Sequence, residues 1–354
     1  MNIKTPGAPA LRPPGAVKRK SLTTQDEWVR ESLLEPGRTL PLVVEPAIAQ
    51  VDLAAWARGH RDWIEDRLRK HGAILFRGFP VASTGEFETV VAAASGDPID
   101  YRDRTSPRSL VSGKVYTSTD HPADQRILLH NENSYSAVWP AKIFFYCVQP
   151  AETGGETPLA DCRRVLARLE PPLVERFRER GVTYQRNFGD GLGLPWQNAF
   201  GTEDPVAVEG FCRDFDIHLE WKDGGRLRTR QVRPALLRHP VTGEDVWFNQ
   251  AALFHIATLE EPVRRELLSA FAEEDLPSHA LYGDGSPIDA ADVAAICEAY
   301  DAEAAVFPWR KHDVLMVDNA AVAHGRAAFT GARKIVVGMA EPRRWSEVVS
   351  EGTP

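Results

Sequence analysis

Ile127-Leu128-Leu129-His130-Asn131-Glu132 is the stretch on which the fold of this chain turns. Three apolar residues run into a histidine and a glutamate two positions apart, the spacing at which side chains of an extended strand share a face. The pattern predicts a strand whose apolar part anchors the backbone while His130 and Glu132 point together into a barrel mouth. Such a pair is most of a two-imidazole, one-carboxylate set, the facial triad by which non-haem proteins hold Fe(II) for oxygen chemistry.

Two other His-x-acid triplets compete with it. His60-Arg61-Asp62 lies in a helical pattern, where residues two apart do not face each other. His218-Leu219-Glu220 has strand geometry but no Gly-Gly turn and helix after it, and reads as an ordinary hairpin strand. A third ligand must come from elsewhere among the ten histidines. His324 is preferred because it follows the apolar run Val314-Leu315-Met316-Val317 and a short loop, with His312 and His255 as alternatives. Nine residues on, Arg333 stands at the foot of Lys334-Ile335-Val336-Val337. A guanidinium there can meet a carboxylate with two parallel hydrogen bonds. Three protein ligands leave three positions on an octahedral metal, two for an oxo acid and one for O2.

Working outward, Leu53, Trp56, Trp63, Ile64 and Leu68 recur at helical spacing between Asp52 and His71, and Gly72 ends that helix. Ala73 to Phe76 reads as a buried strand, Glu86 to Ser95 as a helix, and Thr105 to Arg126 as a long polar loop bordering the site. Lys142 to Val148, aromatic and β-branched, is a strong strand. Asp161 caps a helix running towards Gly181. Residues 183–203, rich in glycine, asparagine and aromatics, read as a flap without regular structure. Asp223-Gly224-Gly225 joins two strands in a hairpin, and Val246-Trp247-Phe248 is a further strand. Helices are expected at 260–274 and 289–301, strands at Asp313 to Asp318 and Lys334 to Met339, with His324 on a loop between them. Strands at both ends with helices between them fit a mixed α/β chain with a mainly β core: a double-stranded β-helix, or jelly roll, with helical insertions. Without a repeat or a shift of composition, residues 26–354 are expected to form one domain behind a disordered tail, Pro/Gly-rich and basic, over residues 1–25.

The net charge of −8 argues against a nucleic-acid partner, which needs a clustered basic face. No apolar run approaches the roughly 20 residues of a membrane span. Cys147, Cys162, Cys212 and Cys297 lack a Cys-x-x-Cys spacing and read as free thiols. A cytoplasmic address is expected; the oligomeric state stays open, a homo-oligomer included.

At these residues the chain resembles the Fe(II)/2-oxoglutarate dioxygenases of the taurine dioxygenase-like (TauD/TfdA) family, in its syringomycin-biosynthesis-type branch. The resemblance spans residues 38–345. It is carried by Arg77-Gly78-Phe79, His130 to Tyr135, Gly154-Gly155-Glu156-Thr157, Trp196-Gln197, Phe200-Gly201-Thr202, Trp247 to Gln250, His324-Gly325-Arg326 and Gly331-Ala332-Arg333. It implies His130, Glu132 and His324 as iron ligands, and Arg333 with Thr157 as contacts to 2-oxoglutarate. Halogenating relatives replace the acidic ligand with a small residue, so Glu132 argues against halogenation. The second arginine that grips a sulfonate in taurine dioxygenases is absent from Val336-Val337-Gly338, which argues against an alkylsulfonate.

The expected activity is oxidation of an unactivated C–H bond, coupled to decarboxylation of 2-oxoglutarate to succinate and CO2. The expected substrate is an amino acid or amino-acyl group, free or tethered to a carrier protein, in natural-product biosynthesis. Tyr135, Asn187, Trp196, Asn249 and Gln250 are candidate substrate contacts. Desaturation or epoxidation by the same centre, a non-catalytic carboxylate-binding jelly roll, and a zinc hydrolase using the same ligands are the competing readings.

Overall fold

A computed structural model describes residues 28–348 apart from 36, 97–109, 113–114, 118–120, 190 and 192. The expected N-terminal tail lies outside the described residues. At the centre is the strand Val138–Gln149, paired antiparallel with Val314–Asp318 on one side and Lys334–Arg344 on the other. They belong to an eight-stranded sheet in the order Val29–Glu35, Arg38–Pro46, Ala73–Phe76, Val314–Asp318, Val138–Gln149, Lys334–Arg344, Val115–Thr117, Leu110–Ser112.

The near-continuous apolar run of the central strand is explained by cover on both faces. Side chains alternate with period two. Phe144 and Tyr146, with Ile74, Phe76, Val314 and Met316, pack against the helices Leu53–Gly59, Arg61–His71 and Thr84–Ser95. Ile143, Phe145 and Cys147, with Leu75, Leu315, Val317 and Val337, face the other way onto Leu159, Val322, Phe307 and Trp309. On that side lies a smaller sheet, Ile127–His130, Val322–Arg326 and Leu159–Asp161. Two facing sheets built from strands at both ends of the chain are the expected jelly roll. A separate four-stranded sheet, His218–Lys222, Arg226–Arg233, Val182–Phe188 and Ser278–Tyr282, is inserted between its halves.

Several expectations change. The helix expected over 52–71 is two, broken at His60, and the one expected from Asp161 to Gly181 is two, broken before Pro171-Pro172. The loop expected over 105–126 contains the short strands Leu110–Ser112 and Val115–Thr117. The largest correction is to the flap. Residues 182–188 form a fully buried strand between Arg226–Arg233 and Ser278–Tyr282. Its polar side chains are satisfied inside: the Gln185 amide donates to Glu274 O at 2.8 Å and its oxygen accepts from Arg230 Nε at 2.7 Å. Among the described residues, those between Phe188 and the short helix Trp196–Phe200 are irregular. His324, too, sits on a strand and not on a loop.

Candidate metal centre and cavity

The antiparallel register between Ile127–His130 and Val322–Arg326 sets His130 directly opposite His324, where cross-strand side chains lie closest. The two imidazole centroids are 4.5 Å apart. His130 Nδ1 is 2.8 Å from Leu128 O, which turns Nε2 away from its own strand. His324 is buried against Phe145, ring centroids 5.1 Å apart. The next residue has to be glycine: a Cβ on Gly325 would stand 2.7 Å from Ile127 O, at the point where the register shifts.

Glu132 departs from the expected strand geometry. The strand ends at His130, and Asn131 to Tyr135 turn, with Asn133 at φ +54°. The turn is latched by a residue that sequence patterns do not single out, Asn319, which is completely buried. Its Oδ1 accepts from Glu132 N at 2.8 Å, and its Nδ2 donates to Glu132 O at 2.9 Å and Pro140 O at 2.8 Å. Asn131 is held in turn by Gln250 Nε2, which donates to its carbonyl at 2.7 Å. The only sequence signal for Asn319 is its Asp-Asn pair of turn formers between an apolar strand and His324. Thus fixed, Glu132 Oε2 lies 3.5 Å from His324 Nε2.

Among the described residues, His130, Glu132 and His324 are the one group whose ligand atoms could hold a metal, all within 4.8 Å of one another. Buried His324 Nδ1 also has no hydrogen-bond partner among them. Two imidazoles and a buried carboxylate are a donor set that suits Fe(II), so these residues fit the expected ion.

They open into a cavity of about 790 Å³. Arg333 and Thr157 line it, the former placed by a hydrogen bond from its Nε to Gly155 O at 2.8 Å. Burial, reinforced by the Arg326 charge, pushes the Arg333 guanidinium down to about 10. It remains cationic near neutral pH, and an anion beside it would relieve its desolvation. Arg326 has a different task. Its guanidinium donates to the carbonyls of His121, Pro122 and Gln125, stapling one wall of the cavity.

The expected substrate contacts divide. Asn187 and Gln250 line the cavity, although the Asn187 amide is engaged with Glu274 O, Leu276 O and Arg228 Nε. Tyr135 is packed among Tyr184 and Phe254, Trp196 donates to Gly225 O at 3.2 Å, and Asn249 donates to Ala235 O at 2.9 Å. These three serve the scaffold around the cavity. Arg186, unmarked by any sequence motif, stands on the cavity wall. His312 is hydrogen-bonded to Tyr146, and His255 packs on His279, both away from the triad.

Comparison with known proteins agrees with this geometry. Residues 36–340 match the family model described as taurine catabolism dioxygenase TauD, TfdA family. The chain is 42% identical over 279 residues to the dapdiamide synthesis protein DdaC of Enterobacter agglomerans, covering 79% of this chain and 85% of that protein. It is 30% identical over 321 residues to a clavaminate synthase-like protein of Arabidopsis thaliana, covering 86% and 94%. Among solved structures, PvcB of Pseudomonas aeruginosa shares the fold, with a TM-score of 0.53 at 17% identity over 89% of this chain and 91% of that one. A family match across most of the length, with the jelly roll it requires, places this chain in the TauD, TfdA family of dioxygenases.

Proposed function

We propose that the protein is an Fe(II)- and 2-oxoglutarate-dependent oxygenase acting on an amino acid or amino-acyl group. The observation that carries the reading is the gathering of His130, Glu132 and His324 within 4.8 Å at the foot of a cavity that Arg333 and Thr157 also line. In this reading His130, Glu132 and His324 hold the ion, while Arg333 and Thr157 hold the carboxylate of the oxo acid remote from the metal. Ferrous iron with 2-oxoglutarate and O2 supplies the oxidising power to break an unactivated C–H bond. The chain's own part is positioning and exclusion of water. Phe145 and Leu128 present apolar surface beside the triad, and Asn319 fixes the backbone of Glu132. The match over residues 36–340 supports reading 26–354 as one catalytic domain.

The cavity wall supports an amino-acid-like substrate. Leu253, Phe254 and Val263 are apolar, Glu260 is an exposed anion at the rim, and Arg186 is a buried cation whose guanidinium lies 4.7 Å from the Phe188 ring centroid. A carboxylate near Arg186 and an ammonium near Glu260 would match this polarity. DdaC is named for dapdiamide synthesis, which supports a role in natural-product biosynthesis. Whether the group is free or carrier-tethered is decided by offering both forms. Succinate release with Fe(II), 2-oxoglutarate and a panel of amino acids and carrier-bound amino-acyl groups is the test. No substrate-stimulated succinate from metal-loaded protein would defeat the proposal, and product analysis separates hydroxylation from desaturation or epoxidation.

Two variants probe the assignment. Arg186→Met is expected to raise the substrate KM about 10- to 100-fold, the loss of a hydrogen bond to a charged group. An equal rise in the KM for the oxo acid would assign Arg186 to the scaffold instead. Gly155 has φ +72°, and a Cβ there would stand 2.9 Å from Arg333 Cδ and 3.0 Å from its Nε. Gly155→Ala is therefore expected to displace the guanidinium and raise the KM for the oxo acid about 10-fold. Unchanged kinetics towards the oxo acid would remove Arg333 from the site.

A further inference from the structure

We infer that Trp309 is a positioning residue for the oxo acid: its indole N–H keeps the Thr157 proton off its own side and so favours donation by that hydroxyl into the cavity. The inference rests on the 2-oxoglutarate reading above. Trp309 Nε1 lies 3.1 Å from Thr157 Oγ1, and both residues are buried. An indole N–H only donates, so the hydroxyl can only accept from it. A threonine hydroxyl carries a single proton, which must then point elsewhere. Among the described residues that proton has no acceptor, and Thr157 lines the cavity shared by the triad and Arg333.

The polarity matters because a hydroxyl is ambivalent. Facing an anion with its proton it attracts, and facing it with a lone pair it repels. Trp309 occupies one of the two lone pairs and bars the proton from its own side, so fewer orientations remain to the hydroxyl and the one that donates into the cavity is favoured before any ligand arrives. Its own place is fixed by its surroundings. The indole sits edge-on to Phe307, ring centroids 5.3 Å apart, in the core on the site-facing side of the large sheet. The preceding carbonyl, Pro308 O, accepts from Arg77 at 2.9 Å, and Arg310 N donates to Asp313 at 2.8 Å. Thr157 is β-branched and has few rotamers to choose from. Arg333 supplies charge to the oxo acid, and the Trp309–Thr157 pair supplies direction.

The test is anaerobic calorimetric titration of Fe(II)-loaded full-length protein with 2-oxoglutarate. Trp309→Phe keeps the ring and deletes the N–H; Thr157→Val keeps the shape and deletes the hydroxyl. Thr157→Val is expected to weaken binding about 10-fold and Trp309→Phe about 3- to 10-fold. Adding Trp309→Phe to Thr157→Val should weaken it no further, whereas adding it to Thr157→Ser, which retains a hydroxyl, should. Binding by Trp309→Phe equal to wild type, or losses that multiply in the Thr157→Val background, would overturn the inference, since a packing role does not depend on the hydroxyl. Failure of the wild-type protein to bind 2-oxoglutarate would overturn the oxo-acid reading itself and this role with it.

Discussion

Replacing His324 with alanine is expected to lower substrate-dependent succinate formation by at least about 10³-fold, since the proposed centre would lose one of its three ligands and with it the oxidising step. His130 and Glu132 remain, but two donors on adjoining elements close no facial set. Unfolding of the metal-free variant should move little, because two effects oppose each other. The change removes packing against Phe145, 5.1 Å away, and also removes a buried ring nitrogen that has no partner among the described residues. The checks are turnover, Fe(II) titration and thermal unfolding of the same preparation. Retention of a tenth of wild-type turnover by the folded variant would dismiss His324 as a ligand.

The second large effect is on stability. Arg77 and Asp313, both buried, meet through two nitrogens, with Nη2 to Oδ2 at 2.7 Å and Nε to Oδ1 at 3.1 Å. The pair ties the end of Ala73–Phe76 to the start of Val314–Asp318, neighbours in the large sheet. Arg77→Met leaves the Asp313 carboxylate buried without its cation, and breaking such a pair from one side costs about 3–5 kcal/mol. Urea denaturation should show a loss of that size. Because Arg77 also holds Pro308 O, the same variant should weaken 2-oxoglutarate binding through Trp309. A loss under about 1 kcal/mol would mean that the pair is replaceable by packing alone.

Much of the fold was legible in the chain because its signals are local. The alternation in Lys142 to Val148 dictates that Phe144 and Tyr146 face one layer and Ile143, Phe145 and Cys147 the other, and the two layers are found. The hairpin around Asp223-Gly224-Gly225 was readable for the same reason. Val182–Phe188 was not: Thr183, Gln185, Arg186 and Asn187 look like a solvated segment, yet all four are buried, with Gln185 and Asn187 satisfied by Arg230 and Arg228 on the neighbouring strand and by the carbonyl of Glu274. Trp309 carries no local signal and Asn319 only that of a turn former, because each acts through a bond to a residue remote in sequence, Thr157 in one case and Glu132 in the other.

The sequence by itself determined the donor types, the strand and helix periodicities, and hence a layered β-rich fold carrying a His-x-Glu pair. Which histidine is brought against that pair, which side chains line the cavity and which merely support it were decided only by tertiary structure. The physical reason is that side-chain identity and periodicity are written residue by residue. A coordination sphere depends instead on register between strands distant in the chain, here the single pairing of His130 with His324.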